Sequence, residues 1–496
     1  MRPSATWKPV RPAARMRTGR MRMGQELEDR DYVDEREFLK RLRAETRLVS
    51  DCFRDERFET FDPPMIGAEV EAWLVDDNWL PAPENEAFLE TLHDPLATHE
   101  LARFNFELNL DPHALPGGLP KLKDQIGKLW ADCTEAASRH ALKPLMIGIP
   151  PTLIQDMLSE DTMTPSNRYK ALNERVMAVR GKPTQVGIAR REQLALAQNH
   201  LMIEAACTSL QTHLTVNPGE EARLYNAAQI AAGPVTAISA NSPFLYGRRL
   251  WEETRIPAFE QAIGIPSFRA RDGAKVGRVT FGAGWLRKGF MELFLENLDG
   301  HEALLPIIEA APPEKLRHFK LQNGTLWRWN RPIIGGDCEG TPHLRIENRV
   351  TPAGPTAIDM VANAAFFIGL TRFIAALETP PETRMEFAAA RANFYACARR
   401  GLGASVQWLD GDLHDVQRLI YDQLVGAAQD GLTASGVPEH EAKAVLSPIR
   451  ERAKSGQNGA AWQRSWVNCH GRDFQGLVEA YYGNQQGGRP VHTWRI

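Results

Sequence analysis

Short segments in which apolar and polar residues alternate constrain the fold of this chain more than any other feature of its sequence. Residues 104–110 place apolar side chains at the even positions and Asn105, Glu107 and Asn109 at the odd positions. Because successive side chains of a strand point to opposite faces, this segment predicts a β-strand with one apolar face and one polar face.

Four further segments alternate in the same way. In each of them, every second residue would point to the face opposite the apolar one. These residues are, in chain order, Glu69, Glu71 and Trp73 in residues 66–74, Gln211 and His213 in residues 210–216, Trp327, Trp329 and Arg331 after Thr325, and His343, Arg345, Glu347 and Arg349 in residues 343–350. If the five strands are neighbours in one sheet, these side chains gather on one face.

The alternation also indicates how the sheet is covered, since a parallel sheet between two helical layers would have continuously apolar strands. We therefore predict an α+β fold: an open, mostly antiparallel sheet with a polar, functional face and helices packed on the other face. Helical spacing of apolar residues predicts helices over residues 34–58, around 122–133, and over 356–377, 384–400, 412–431 and 439–454, so the C-terminal part is mostly helical.

The domain organisation follows from the same pattern. We predict a single domain over residues 34–496, preceded by a basic, flexible segment over residues 1–33. The first 24 residues carry arginines and one lysine but no acidic residue and no apolar run. A flexible tail, an organellar transit segment and a start placed too early all fit this composition.

Charge and cysteine usage exclude several classes of protein. A formal net charge of -3 argues against a nucleic-acid partner. Six cysteines without a CxxC form neither a disulfide scaffold nor a zinc pattern and predict a cytoplasmic location. The longest apolar stretch, Met360–Leu377, contains Asn363 and Arg372, so we predict a buried helix and no membrane span.

Carboxylates on the predicted polar face of the sheet suggest a metal site. Glu69 and Glu71 would leave one strand face about 7 Å apart and repel each other by roughly 2 kcal/mol, which a divalent cation would reverse. Taken alone, the pair is equally consistent with a solvated sheet face. Glu107 and Glu347 on other strands favour the metal, because hard cations take oxygen ligands from several elements. A lone histidine such as His213 is more often structural than a ligand.

The acid and arginines of the last two segments allow two interpretations. Glu347 with Arg349, or with Arg331, could form a cross-strand salt bridge. Alternatively, the acid holds a metal while the guanidinium groups meet phosphate oxygens. The chain contains no GxxxxGK[ST], no dinucleotide fingerprint and no HExxH, so any phosphate site would rely on metals and arginines.

Taken in order, these motifs resemble the carboxylate-amine ligase branch of the glutamate-cysteine ligase family. The matching segments are Gly67-Ala68-Glu69-Val70-Glu71, Phe106-Glu107-Leu108-Asn109, Arg168-Tyr169, Gln211-Thr212-His213, Ser239-Ala240-Asn241-Ser242-Pro243-Phe244 with Gly247-Arg248, Thr325-Leu326-Trp327 with Arg331-Pro332, and Glu347-Asn348-Arg349. The resemblance runs from about residue 65 to residue 480.

The resemblance implies a glutamine-synthetase-like sheet whose concave face holds ATP and two or three Mg²⁺ or Mn²⁺ ions. By resemblance, the metal ligands are Glu69, Glu71, Glu107, His213 and Glu347. The catalytic group is Arg331, Arg349 and Glu347, and substrate or ATP is bound by Arg168, Gln211, Asn241 and Arg248. The chain departs from its relatives in a Glu-x-Asn second strand and in Gln211, where a second histidine is common, so the metal count and the amine stay open.

The predicted function is an ATP-dependent ligase that joins a carboxylate, with glutamate expected, to an amine through an acyl-phosphate, forming an amide or γ-glutamyl bond. One alternative is a guanidino-kinase-like phosphotransferase on the same fold. The other is a non-catalytic relative that binds a nucleotide or amino acid. No membrane partner is predicted, and the oligomeric state, a homo-oligomer included, stays open.

Overall fold

An eight-stranded antiparallel sheet organises the computed structural model, which describes residues 34–496. The predicted basic segment, residues 1–33, lies outside the described residues. The strands in chain order are β1 (Met65–Val75), β2 (Ala97–His99), β3 (Asn105–Asn109), β4 (His113–Ala114), β5 (Lys143–Leu145), β6 (Thr184–Ala189), β7 (Gln193–Gln198), β8 (Ser209–Val216), β9 (Phe244–Leu245), β10 (Arg248–Arg249), β11 (Pro266–Arg269), β12 (Lys275–Gly277), β13 (Val279–Thr280), β14 (Trp327–Arg328), β15 (Asn330–Gly335), β16 (His343–Pro352), β17 (Ser405–Gln407) and β18 (Leu413–Asp415).

The main sheet has the strand order β15-β16-β8-β1-β3-β2, and β4 and β5 also pair with β1. All of its pairings are antiparallel. The segments predicted from alternation are therefore neighbours, and the predicted α+β fold with an open, antiparallel sheet is confirmed. Its core face is apolar: Val70, Leu108, Leu214 and Ile346 are fully buried.

One predicted strand is divided. The segment after Thr325 forms β14, which pairs with β13 in a separate small sheet, and then β15 in the main sheet. Trp329, between the two strands, packs against Phe259 and Phe394 instead of joining the polar face. Backbone bonding of Trp329 to Thr280 explains the break.

Helices cover the apolar face and form the C-terminal part. They are α1 (Glu35–Arg54), α2 (Asn85–Leu92), α3 (Gly118–Ser138), α4 (Asn167–Arg180), α5 (Glu221–Ser239), α6 (Arg255–Ala262), α7 (Met291–Gly300), α8 (Arg317–Gly324), α9 (Ala357–Ala375), α10 (Phe387–Arg400), α11 (Val416–Leu419), α12 (Val425–Ala434), α13 (Glu439–Ser455), α14 (Gly459–His470) and α15 (Phe474–Gln486). The helix expected over residues 412–431 is wrong at its start, where β18 precedes α11.

Helix α9 is the apolar stretch noted in the sequence, and it begins as predicted at Thr356, whose hydroxyl accepts a hydrogen bond from the Asp359 N–H at 3.2 Å. Its length and mean hydropathy of 1.5 would allow it to cross a membrane. However, 78% of its apolar window is buried inside the fold. It is a core helix that packs against α5 and α12.

Candidate active site

The strand register brings the polar side chains of separate segments side by side. Glu347 is the cross-strand partner of His213 on one side and of Arg331 on the other. On the next strand Glu71 lies opposite Glu107. Because side chains at paired positions point to the same face, the register alone assembles one polar surface from β15, β16, β8, β1 and β3.

The middle of this surface holds a first group of donor atoms from Glu69, His213 and Glu347. One ligand atom from each lies within 4.8 Å of the other two, and His213 Nε2 is 3.1 Å from Glu69 Oε1. Arg345 Nε donates to His213 Nδ1 at 3.0 Å. Since arginine can only donate, the neutral imidazole carries its proton on Nε2 in this arrangement. His213 Nε2 can bind a cation only if Arg345 releases Nδ1.

The β1–β3 side holds a second group, built only from carboxylates. Ligand atoms of Glu71, Glu100 and Glu107 lie within 4.8 Å of one another. Glu71 is oriented by the Ser209 N–H at 2.6 Å and by Gln211 Nε2 at 2.8 Å. Three carboxylates at this spacing fit a hard divalent cation such as Mg²⁺ or Mn²⁺, which prefers oxygen ligands.

Burial and neighbouring carboxylates raise the pKa values of acids in this second group and of the nearby Glu204. Burial, followed by the charges of Glu71 and Glu204, raises the pKa of Glu100 to about 8. Burial and the neighbouring acids Glu69, Glu100 and Glu71 likewise raise the pKa of Glu107 well above its usual range. Burial and the charge of Glu71 raise the pKa of Glu204 to about 8. A bound cation would favour the ionised forms.

The opposite side, at β15 and β16, is electrostatically balanced. Glu347 accepts from Arg331 Nε at 2.8 Å and Nη2 at 2.9 Å, and from Arg349 Nη1 at 2.9 Å. Burial alone would raise the pKa of Glu347, but the charges of Arg331 and Arg349 hold it well below its usual range. The cross-strand salt bridge, one of the two sequence interpretations, is therefore present. Phosphate binding by the two arginines stays a prediction.

Two of the predicted substrate-binding residues lie at this surface. Gln211 joins its two sides, because it donates to Glu71 at 2.8 Å and accepts from Arg349. Arg168 is half-buried at the start of α4. Burial lowers its pKa, and the nearby charges of Glu100 and Arg331 act on it from both sides of the surface.

The other two are not brought to this surface. Asn241 is fully buried, and its amide is used by the Ala353 carbonyl, the Tyr481 hydroxyl and Gln463. It holds the end of α5 to the C-terminal helices. Arg248 is exposed on the short strand β10. The geometry gives neither residue a role at the carboxylates.

Sequence reasoning missed two acidic residues of this surface. Glu100 follows β2 in a loop, and Glu204 lies in a short 3₁₀ turn over Met202–Ala206. Neither residue belongs to an alternating segment, so the alternation of polar and apolar residues could not identify them. Their only sequence clue is a position shortly before β3 and β8, respectively.

Comparisons with known proteins identify the family and the fold. Residues 65–482 match the model of glutamate-cysteine ligase family 2. Among solved structures, a glutamate–cysteine ligase from Francisella tularensis in complex with AMP aligns with a TM-score of 0.50 and 11% identity, over 86% of this chain and 90% of that one. A search of curated proteins found no match.

A bifunctional glutathione synthetase from Pasteurella multocida also aligns with a TM-score of 0.50 and 11% identity, over 90% of this chain. The alignment covers 55% of the Pasteurella protein, so this chain corresponds to about half of its length. At such low identity the two alignments show a shared fold, while the family match covers most of the sequence, strands and C-terminal helices included. The chain belongs to glutamate-cysteine ligase family 2 and is a carbon–nitrogen ligase of the carboxylate-amine class.

Proposed function

We propose that this ligase activates the carboxylate of an amino acid, glutamate in the first instance, with ATP, and transfers the acyl group to an amine. The observation that carries the proposal is that a largely buried group of three carboxylates and a buried arginine–glutamate network lie on one sheet face. A carboxylate is a poor electrophile because its charge is delocalised, so amide formation near neutral pH requires prior activation. The use of ATP is supported by the family match and by the AMP complex of the Francisella enzyme.

The donor atoms fit the divalent cations that the family implies. Glu71, Glu100 and Glu107 offer oxygen ligands only. Because these carboxylates repel one another, a bound cation would be stabilising. Glu69 and Glu347 offer oxygens to a second ion. When bound, Mg²⁺ or Mn²⁺ would neutralise phosphate charge and polarise the transferred phosphoryl group. His213 joins the second set only after Arg345 moves.

The arginines of the balanced side are suited to the transferred phosphoryl group. Planar guanidinium groups match phosphate oxygens in pairs, and charge spreads over those oxygens in the transition state. Burial lowers the pKa of Arg349, but the charges of Glu347 and Glu71 outweigh it and raise the pKa above its usual range, so Arg349 stays charged. In this role Glu347 orients Arg331 and Arg349 as well as contributing oxygen to a metal.

The position of Glu204 supports the proposal that the amine substrate binds in its positively charged form. Among residues 34–496 no side chain or backbone group donates a hydrogen bond to its carboxylate, although the residue lies close enough to Glu71 for their charges to interact. The charge of Arg349 acts on Glu204 in the opposite sense, yet the pKa of Glu204 stays raised. We infer that the amine arrives as an ammonium ion beside Glu204 and loses a proton to solvent before its nitrogen attacks the acyl group.

An oxygen-transfer experiment tests the acyl-phosphate. The chain is incubated with ATP, Mg²⁺, an amine and glutamate labelled with ¹⁸O in its carboxylates. Attack of the carboxylate on the γ-phosphorus predicts one labelled oxygen in the inorganic phosphate for each amide formed, together with ADP. A guanidino kinase would transfer no carboxylate oxygen, and AMP or unlabelled phosphate alongside genuine amide would exclude the acyl-phosphate.

A further inference from the structure

Two cysteines far apart in the sequence meet in the fold. Cys52 lies in the last turn of α1, and Cys338 follows β15 in the connection to β16. Their sulfur atoms are 2.9 Å apart, although the residues are separated by 286 positions. Both residues are buried, with 0% and 7% exposure. The contact therefore depends entirely on tertiary structure.

The surroundings of the pair favour reaction at Cys52. Arg57 Nη2 donates to Cys52 Sγ at 3.0 Å, and Arg57 itself is exposed. The attacking species in disulfide exchange is a thiolate. Burial, together with the hydrogen bond to Cys52, raises the pKa of Cys338 to about 12. Cys52, whose sulfur contacts the exposed Arg57, is thus the first nucleophile, and Cys338, whose pKa is raised, is the resolving thiol.

The other cysteines provide a contrast within the same chain. Cys133 and Cys397 are buried, Cys207 is partly exposed and Cys469 is exposed. Within residues 34–496, which contain every cysteine of the chain, no other pair of cysteine sulfurs is in contact. The geometry is therefore specific to one pair.

We propose that Cys52 and Cys338 are a disulfide-forming pair that a small-molecule disulfide oxidises. The Cys52 thiolate attacks one sulfur of the reagent, forming a mixed disulfide and releasing one thiolate. Cys338 then loses its proton to solvent and attacks the Cys52 sulfur, which forms the Cys52–Cys338 bond and releases the second thiolate. The two cysteines lose two electrons and two protons, and the reagent becomes two thiols.

The bond would join a part of the fold that the family model does not match to a part that it does match. Helix α1 precedes residues 65–482, which match the family model, whereas Cys338 lies within them. Cys338 also belongs to the connection between the strands that carry Arg331 and Glu347. Oxidation would therefore fasten α1 to the end of the strand pair that forms the balanced side of the active site.

Hydroxyethyl disulfide is a suitable probe because it is small, uncharged and unrelated to the substrates. The folded chain is treated with it, quenched in acid, alkylated under denaturing conditions, digested without reductant and analysed by mass spectrometry. We expect a peptide pair linked through Cys52 and Cys338, and a rise in melting temperature that dithiothreitol reverses. Cys52→Ser and Cys338→Ser should each abolish both effects.

Cys133→Ser is the matched control, since it removes a buried cysteine without a sulfur neighbour and should leave the linked peptide intact. Exposed Cys469 serves as an internal standard for the extent of oxidation. The proposal is overturned if Cys52 and Cys338 are both still alkylated after Cys469 has reacted completely, or if they carry only mixed disulfides with the reagent. The readout is independent of ligase turnover.

Discussion

Both sides of the polar sheet face contain glutamates, yet they differ in which charged groups lie beside those carboxylates. On the β1–β3 side, burial and neighbouring carboxylates raise the pKa values of Glu100 and Glu107, although the charge of Arg168 lies near Glu100. On the β15–β16 side, Glu347 is enclosed by two arginines, and its pKa is lowered. The first side offers oxygen ligands to the divalent cation that we propose, whereas the second contains two arginines beside its carboxylate.

The difference shows that carboxylates on the same sheet face can have opposite effects on the stability of the fold. An acid held near like charges destabilises the ligand-free fold, so its neutralisation relieves repulsion. An acid held between arginines does the opposite, because its removal leaves buried positive charge without a partner. Activity should fall in both cases, while stability should move in opposite directions.

The largest expected effect is on turnover at the carboxylate-only side. Glu107→Gln should lower amide formation by about three orders of magnitude, because a metal ligand is lost while the shape is kept. The ligand-free variant should melt no lower than the unsubstituted chain. Added Mg²⁺ should raise the melting temperature of the unsubstituted chain, and it should raise the melting temperature of the variant much less. A variant that retains most activity would remove the metal interpretation of Glu107.

The next effect is on stability at the balanced side. Glu347→Gln should lower the free energy of unfolding by about 3–5 kcal/mol, the usual cost of leaving buried charges unpaired. Denaturant unfolding measures it, with Glu107→Gln as the matched control in the same sheet. If the two variants unfold at the same denaturant concentration, the contrast between the two sides is wrong.

A pH dependence of stability should belong to the acidic side. The pKa of Glu204 is raised to about 8, so in the folded state it stays protonated where the unfolded chain has already ionised. Its contribution to stability is therefore complete below about pH 4.5 and is lost as the pH rises through about 8.

In the absence of divalent ions, Glu204→Gln should flatten this decline between pH 5 and pH 8 by on the order of 2 kcal/mol, allowing for partial exposure. Thermal or denaturant unfolding across this pH range provides the measurement. A slope unchanged by the substitution would show that Glu204 ionises normally.

The smallest effect is expected away from both sides. Arg248→Ala should change turnover by less than about twofold and the melting temperature by about 1 °C or less, as is usual for an exposed residue. Steady-state kinetics with glutamate, ATP and the amine checks this. A tenfold rise in the KM of any substrate would instead restore the substrate-binding role that the family resemblance implied for Arg248.

Alternation along the chain was sufficient to predict the strands and the face to which each side chain points. Glu69, Glu71, Glu107, His213 and Glu347 all lie on the predicted polar face, because a strand's side-chain period of two is a local property. Helical periodicity located most of the helices for the same reason. The break at Trp329 was missed, since the competing pairing with Thr280 comes from a distant part of the chain.

Which side chains meet was decided by tertiary structure alone. Register across strands paired Glu347 with Arg331, and loop placement brought Glu100 to Glu71 and Cys52 to Cys338. These contacts join residues that share no local pattern. The sequence by itself therefore determined the family, the sheet and its polar face, while only the folded chain determined which acids lie beside arginines and which lie beside other acids. The physical reason is that charge interactions depend on distance and burial through space, and neither is encoded by periodicity along the chain.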